Sequence, residues 1–321
     1  MEDYPKNLAE FDRRFATERR AGTICFGCAG RTVSAAPPVG TKGWPVRRIL
    51  VQCGRCGGQT SVTAGTIFQG TRMPLTQWFR AMWLVTSQKT GASALGLQQI
   101  LGLGSYKTAW TWLHKLRRAM VRPGRDRLSG RVEVDETYIG SREKGVRGRQ
   151  IQAKAMIVVA AQEDGKGIGR IRMKRIRNAS AESLVPFVEE SIEAGSVVHT
   201  DAWLGYEPLN KIGYVHEVSF LKGNTKSPSD LMPRVHRVVS LLKRWLMGTH
   251  QGAVSQEHLD YYLDEFTFRF NRRKSGSRGK LFFRLAQQAV ALKPAPYKLI
   301  VKHGQDSPHD HNREGLPESS I

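Results

Sequence analysis

No stretch of this chain approaches the ~20 consecutive apolar residues that a helix needs to cross a bilayer. Its first residues, MEDYPKNLAEFDRR, lack the apolar centre of a secretory signal. These two absences point away from membrane insertion and export and toward a cytoplasmic protein. Cysteine is scarce, with four among 321 residues, and in the cytoplasm they are better read as metal ligands than as disulfides. Acid is scarce as well. The chain has 28 Asp+Glu against 50 Lys+Arg, a formal net charge of +22, which calls for a polyanionic partner. An anionic membrane is the weaker choice, because no basic amphipathic stretch carries a matching apolar face. Nucleic acid is therefore expected. There is no internal repeat, and 40% apolar residues over this length allow two domains, or one large domain with small attachments.

The four cysteines form two C-x2-C pairs, Cys25/Cys28 and Cys53/Cys56, with 24 residues between them. Such spacing lets a tight turn present two thiolates to one ion, and two turns complete a tetrahedral structural zinc site with no open position for substrate. Thr32-Val33 and Arg48 to Gln52 are short β-like runs separated by Pro37-Pro38 and Gly40, the layout of a zinc ribbon. A redox dithiol or an unpaired set is the competing reading.

From Leu75 the pattern becomes helical. Leu75, Trp78, Phe79, Met82 and Trp83 recur at spacings of three and four after Pro74. A second helix covers Leu95 to Leu101, Gly102 and Gly104 break it, and Ser105 stands where it can cap a third helix from Tyr106 to Arg118. Helix, glycine-containing turn, helix is a helix-turn-helix pattern whose second helix reads the major groove. Tyr106, Lys107, Thr108 and Thr111 are the candidates to face bases or phosphates, and Lys115, Arg117 and Arg118 to hold phosphates. Trp110, Trp112 and Leu113 read as core. A helical hairpin that only packs on its neighbours is the alternative.

VEVDETYIG, IQAKAMIVVAAQE and IGRIRMKRI read as three strands, with Asp164-Gly165 turning the second into the third. Ala181 to Ala194 reads as an amphipathic helix, and SVVHTDAWLGY returns as a buried strand. Three strands, a helix and a fourth strand is the order of RNase H-like α/β folds, a mixed sheet flanked by helices. There the first and fourth strands are neighbours, so Asp135 and Asp201, each expected at a strand's end, would meet although 66 residues apart. Paired carboxylates repel unless cations neutralise them, and two Mg2+ or Mn2+ ions held there suit phosphoryl transfer. Asp capping a turn is the alternative for either residue. Glu133 shares the strand face of Asp135 and is its nearest understudy. Glu136 flanks it.

His236 lies 35 residues past Asp201, and Lys243 seven past His236, on what reads as one helix. Residues 21–290 resemble bacterial insertion-sequence transposases of the DDE type, and within them the family numbered fifteen ninety-five, which has an N-terminal zinc ribbon and an RNase H-like core. The resemblance rests on VEVDETYIG, VVHTDAWLGY, VHRVVSLLKRWLMGTH, LDEFTFRFNRR and AGTIFQGTRMPLTQWFRAMWLV. It implies a DNA transposase that binds element ends, cuts their 3′ ends and joins them to target DNA, with Asp135 and Asp201 as catalytic metal ligands. The family pattern puts a Glu at the third position; this chain has His236 there, with Lys243 in the basic position. Imidazole can bind a divalent ion and tilts preference toward Mn2+. The alternatives are that His236 is a helix residue near DNA and that Glu265, set among aromatics and tied to an arginine, is the third acid. Lys243 and Arg244 are expected on phosphates near the site, or else on a solvated helix face.

The loop 223–233, GNTKSPSDLMP, reads as mobile, and Arg272, Arg273, Lys274, Arg278 and Lys280 read as a basic DNA clamp. The expected layout is an extension (1–20), zinc ribbon (21–62), helix-turn-helix-like segment (63–128), catalytic domain (129–290) and basic, disordered tail (291–321). Paired element ends imply a homodimer or larger synaptic complex on double-stranded DNA. A catalytically inactive regulator that still binds DNA, or a metal-dependent nuclease on the same fold, are the other functional readings.

Overall fold

The structure is a computed structural model that describes residues 4–29, 43–47, 50–53, 59–122, 124–140, 154–220, 225, 227–252 and 254–302. It divides into two units. The first comprises the chain up to Arg122 together with Lys274–Lys302, and the second the residues from there to Arg273.

The first unit is mainly helical, with α1 (Leu8–Arg14), α2 (Glu18–Ala29), α3 (Leu75–Ser87), α4 (Ala94–Leu101) and α5 (Tyr106–Arg118). A small antiparallel sheet of β1 (Gly43–Arg47), β2 (Leu50–Cys53) and β3 (Gln59–Ser61) separates α2 from α3. The three- and four-residue spacing after Pro74 buries Leu75, Trp78, Phe79, Met82 and Trp83 on one side of α3. Trp78 stacks on Trp112 of α5 with ring centroids 3.8 Å apart, worth about 0.5–1.5 kcal/mol beyond the area buried. Pro74 offers α3 no side-chain cap. Glu18, 57 residues earlier, accepts the N–H groups of Leu75 (2.8 Å) and Thr76 (3.2 Å) instead.

A helix from beyond the second unit completes this core. Phe282 of α10 (Arg278–Ala291) is fully buried and meets Phe11, Phe15, Phe79 and Trp83. A Cβ on Gly279 would collide with the Pro5 carbonyl, so only glycine admits the N-terminal segment this close to α10. Residues 274–290 therefore leave the expected catalytic domain and residues 4–20 are no loose extension, because a buried aromatic cluster holds both. In the expected tail, residues 297–302 form α11 (Tyr297–Lys302), which packs on α5; residues 303–321 lie outside the described residues.

The second unit is built on a five-stranded sheet of β4 (Arg131–Ile139), β5 (Ala155–Asp164), β6 (Gly167–Ile176), β7 (Val197–Asp201) and β8 (Val215–Ser219), in the order β6-β5-β4-β7-β8. The β6-β5 and β5-β4 pairs are antiparallel, and β4-β7 and β7-β8 are parallel. The mixed sheet flanked by helices is the α/β architecture expected, and β4 and β7 are neighbours. β8 escaped the sequence reading because VHEVS has too little apolar character; it is an edge strand and mostly exposed. Ile157, Val159 and Ala161 of β5 face Val235, Val238 and Leu242 of α8 (Pro233–His250) and Leu263 and Phe266 of α9 (Leu259–Asn271). Val158 and Ala160 face Leu184, Phe187 and Val188 of α6 (Ala181–Ser191). A strand covered on both sides reads as an unbroken apolar run, which IVVAA is. The short α7 (Pro228–Leu231) precedes α8.

Candidate active site

The parallel register of β4 and β7 pairs Arg131 with Val197, Val132 with Val198 and Glu133 with His199. Two residues further along each strand stand Asp135 and Asp201, so both carboxylates lie at one level where the strands part. Asp201 ends β7 as expected, but Asp135 does not end β4. That strand runs on to Ile139, held by β5 with Asp135 opposite Val159. Asp135 Oδ1 accepts the N–H of Glu136 (2.8 Å), and Asp201 Oδ1 accepts the N–H of Trp203 (3.1 Å), which fixes both carboxylates in orientation.

Along β4, the period of two puts Glu133, Asp135 and Thr137 on one face, and α8 meets all three. Glu133 Oε2 accepts the N–H groups of Arg234 (2.8 Å) and Val235 (2.9 Å), and Oε1 takes the Arg234 guanidinium at 3.0 Å. Arg234 also binds the Glu163 carboxylate and the Gly165 and Gly167 carbonyls of the β5–β6 hairpin. His236 Nε2 stands 3.9 Å from Asp135 Oδ2. Two helical turns on, Lys243 Nζ donates to Thr137 Oγ1 (2.9 Å). Glu133 is only 2% exposed. It is thus no understudy for a metal ligand: both its oxygens are committed to the start of α8, whose N-terminal dipole favours a carboxylate. This role was readable only in hindsight, from a Glu two residues before the Asp and a helix beginning at Pro233 with no cap of its own.

Glu136 points to the other face, where the fully buried Tyr206 donates to it (3.0 Å). Burial, with the charges of Glu136, Asp135 and Asp201, raises the Tyr206 hydroxyl well above its ordinary range, so it remains a donor. Burial lowers the His236 pKa despite Glu133 and Asp201, with Lys243 adding to the shift. Burial likewise lowers the Lys243 pKa; Lys154 adds to this and Asp135 opposes it. Glu265 is fully buried in α9, 3.8 Å from Arg269, and stays in the core as its aromatic surroundings suggested.

Residues 127–271 match the ISXO2-like transposase domain. The match covers just under half of the chain and lies within the sheet unit, so the chain contains a domain similar to that of ISXO2-like transposases. It is also 26% identical, over 232 residues, to an uncharacterized protein in transposable element ISH50 of Halobacterium salinarum, a match covering 68% of this chain and 76% of that protein.

The divalent cation that this domain implies can be tested against the residues present. His236 Nε2 is buried without a hydrogen-bond partner. At 3.9 Å from Asp135 Oδ2 it is too far for a hydrogen bond, yet within the roughly 3–4 Å that separates two ligands of one ion with bonds of about 2.1 Å. The neutral imidazole has a lone pair to offer. Among the described residues, no three His, Cys, Asp or Glu side chains are close enough together to hold one ion. Two carboxylates and a neutral imidazole are donors of the kind that bind a divalent cation such as Mg2+ or Mn2+.

The expected DNA contacts divide. Tyr106 and Lys107 are exposed at the start of α5, and Lys107 Nζ sits 3.9 Å above the Tyr297 ring. Thr108 is half-buried, and the Thr111 hydroxyl donates to the Lys107 carbonyl. Gly102 takes the left-handed conformation (φ 61°) that ends α4, as its place in the turn requires; Ser105 stands at the next N-cap but makes no side-chain cap bond.

Arg117 and Lys115 correct the sequence reading. Arg117 is 1% exposed, beside His114, and Lys115 Nζ binds the Ile67 carbonyl (3.0 Å), so the last turn of α5 is basic toward the protein interior. Arg118 is half-buried. Arg272 and Arg273 both make contacts within the sheet unit, and Arg273 remains exposed. Arg272 lies on the Phe268 ring, and Arg273 lies on Phe270 and binds the Ile168 and Gly169 carbonyls, closing α9 against β6. Arg244, Lys274 and Lys280 are exposed, and Arg278 is half-buried. Cys25 is buried within α2, whose helix also spans Cys28, where a turn was expected. Cys53 ends β2. Cys56, the run Thr32-Val33 and residues 223–224 and 226 of the expected loop lie outside the described residues. No helix of the described residues is long and apolar enough to cross a membrane.

Proposed function

We propose that this protein is a DNA transposase that binds the ends of its insertion element, cuts their 3′ ends and transfers them to target DNA. One observation carries this reading. Asp135 and Asp201 stand level on adjacent parallel strands, with the unbonded Nε2 of His236 facing Asp135. In this reading Asp135, Asp201 and His236 hold Mg2+ or Mn2+, two ions in all. When bound, the cations lower the pKa of an attacking water or 3′-hydroxyl and stabilise the leaving oxygen. Asp135 and Asp201 supply the charge that concentrates cation at the scissile phosphate. His236 completes the set as a neutral donor, which its lowered pKa favours at pH 7. Lys243, beside Thr137, steadies a phosphate. Tyr106, Lys107, Thr108, Thr111, Arg118, Arg244 and Lys274 meet DNA, and Cys25, Cys28, Cys53 and Cys56 hold one structural Zn2+. Cys53→Ser should lower the zinc content, and unchanged zinc would remove that site. The active form on paired ends is a dimer or larger complex.

The test is strand transfer of a labelled end, taken from the DNA flanking the coding region, with either metal. Asp135→Asn and Asp201→Asn are expected to lose at least about a thousandfold in joining, roughly 4 kcal/mol of barrier, while still binding ends. His236→Ala should lose joining likewise, and His236→Glu should regain it with preference moved toward Mg2+. Wild-type protein that binds ends but neither nicks nor joins them with either metal would leave a DNA-binding regulator. Joining that survives both Asp changes would end the proposal.

A further inference from the structure

A cavity of about 460 Å3 opens at the end of the β4-β5-β6 strands, and the catalytic reading makes no use of it. It is close to the two aspartates along the chain. Its wall residue Tyr138 is three positions past Asp135 on β4, about 10 Å at ~3.3 Å per residue. Trp203 is two positions past Asp201 and donates its N–H to that carboxylate. On β4, Asp135 and Tyr138 project to opposite faces, so the cavity is reached past the strand ends and not on the face that carries the aspartates.

Its size suits one small ligand and cannot admit a duplex. Two aromatic walls, Tyr138 and Trp203, offer surfaces for a planar ring. The Trp203 indole is held in place, since Nε1 donates to the Ala179 carbonyl at 2.6 Å. That leaves a fixed stacking platform with little ordering left to do on binding. Lys154 and Arg177 bring positive charge to the rim, while Arg175 is spent on Asp260 (3.0 Å). Asn178 and Gln256 bring amides that can bond the edge of a base. The Asn178 amide is oriented by Ser180 and Ser183, which both donate to its Oδ1. Aromatic faces, edge amides and rim cations together are the chemistry of a single unstacked nucleotide.

From this geometry we infer that the cavity is a binding pocket for one nucleotide drawn out of the duplex close to the scissile phosphate, its base against Trp203 and Tyr138 and its phosphate at Lys154 and Arg177. The inference rests on the transposase reading for its substrate. The distance of about 10 Å corresponds to roughly three base steps at ~3.4 Å each. Extracting a nucleotide there would hold the DNA end in register with Asp135 and Asp201.

The full chain can be titrated with a duplex carrying one unpaired 2-aminopurine and with the same duplex fully paired, without added metal. The readout is the ratio of the two affinities together with the 2-aminopurine emission. Wild-type protein should favour the unpaired duplex at least about fivefold and quench its emission. Trp203→Ala should bring the ratio near one, and Arg177→Glu, at an exposed position whose change leaves the core intact, should lower it severalfold. A wild-type ratio of one would overturn the inference, as would a ratio unchanged in both variants. Strand transfer measured on the same preparations separates the two claims. Joining with no preference removes the pocket and keeps the transposase; preference without joining does the reverse.

Discussion

Both units start a principal helix at a proline that offers no side-chain cap, and both borrow a glutamate from far away in sequence to finish it. In the helical unit Glu18 takes the first two N–H groups of α3. In the sheet unit Glu133 takes those of Arg234 and Val235 in α8. The surroundings differ. Glu18 is half-exposed, and the helix it caps is held mainly by its aromatic face, Trp78 on Trp112 and Phe79 on Phe282. Glu133 is buried beneath an arginine that itself ties α8 to the β5–β6 hairpin. A cap at an edge only ends a helix. A cap in the interior positions one, and here the helix it positions carries His236 to Asp135 and Lys243 to Thr137.

Glu133→Ala should have the largest effect. Removing one member of a buried ion pair leaves the other uncompensated and costs about 3–5 kcal/mol. Urea unfolding followed by hydrogen exchange in the sheet unit should show that loss, with exchange rising first along Pro233–His250. Glu133→Gln keeps the shape and one acceptor, and should restore part of it. If Glu133→Ala left α8 protected as in the wild type, the cap would be incidental and the placement of His236 would rest on the apolar face of α8 alone.

That position also marks how far the sequence could be read. The aspartate pair was legible because VEVDE and VVHTD each place an acid after a buried β-branched run, and the strand order fixes their meeting. Three helices of the first unit, α3, α4 and α5, were legible from their period, whereas α1 and α2 fall where an extension and a ribbon were expected. What Glu133 does was not legible, since its partners lie 101 and 102 residues away and an acid beside an expected metal ligand reads first as another ligand. The last turn of α5 misled for a related reason. Basic residues at a helix end suggest phosphate, but Lys115 and Arg117 are turned inward and only packing decides that. α10 was assigned to the wrong unit because nothing local says that Phe282 packs with Phe11 and Phe79.

Acidification should weaken the sheet unit through its buried histidines. Burial is the leading cause of lowered pKa values at His199, His216 and His236, all of them in this unit. Their folded-state values lie below the ordinary ~6.5 of the unfolded chain, so between the two the unfolded state binds more protons and stability rises with pH. The contribution is complete above ~6.5 and is lost as pH falls through the window beneath it. Urea midpoints of the sheet unit, measured from pH 7.5 to 5, should decline over that window. His216→Asn should flatten part of the decline, and an unchanged slope in that variant would place the proton uptake elsewhere.

The smallest effect should come from the matching change in the helical unit. Glu18→Ala removes the acceptor of two N–H groups at a half-exposed helix start, where water can replace it, and losing a cap of this kind costs about 1 kcal/mol. The aromatic face of α3 is untouched, so hydrogen exchange should quicken over the first turn, at Leu75 and Thr76, and stay slow from Phe79 onward. A loss as large as that of Glu133→Ala would mean that Glu18 positions α3 as Glu133 positions α8. The two glutamates would then be the same device in function as well as in geometry, and burial would not be what separates them.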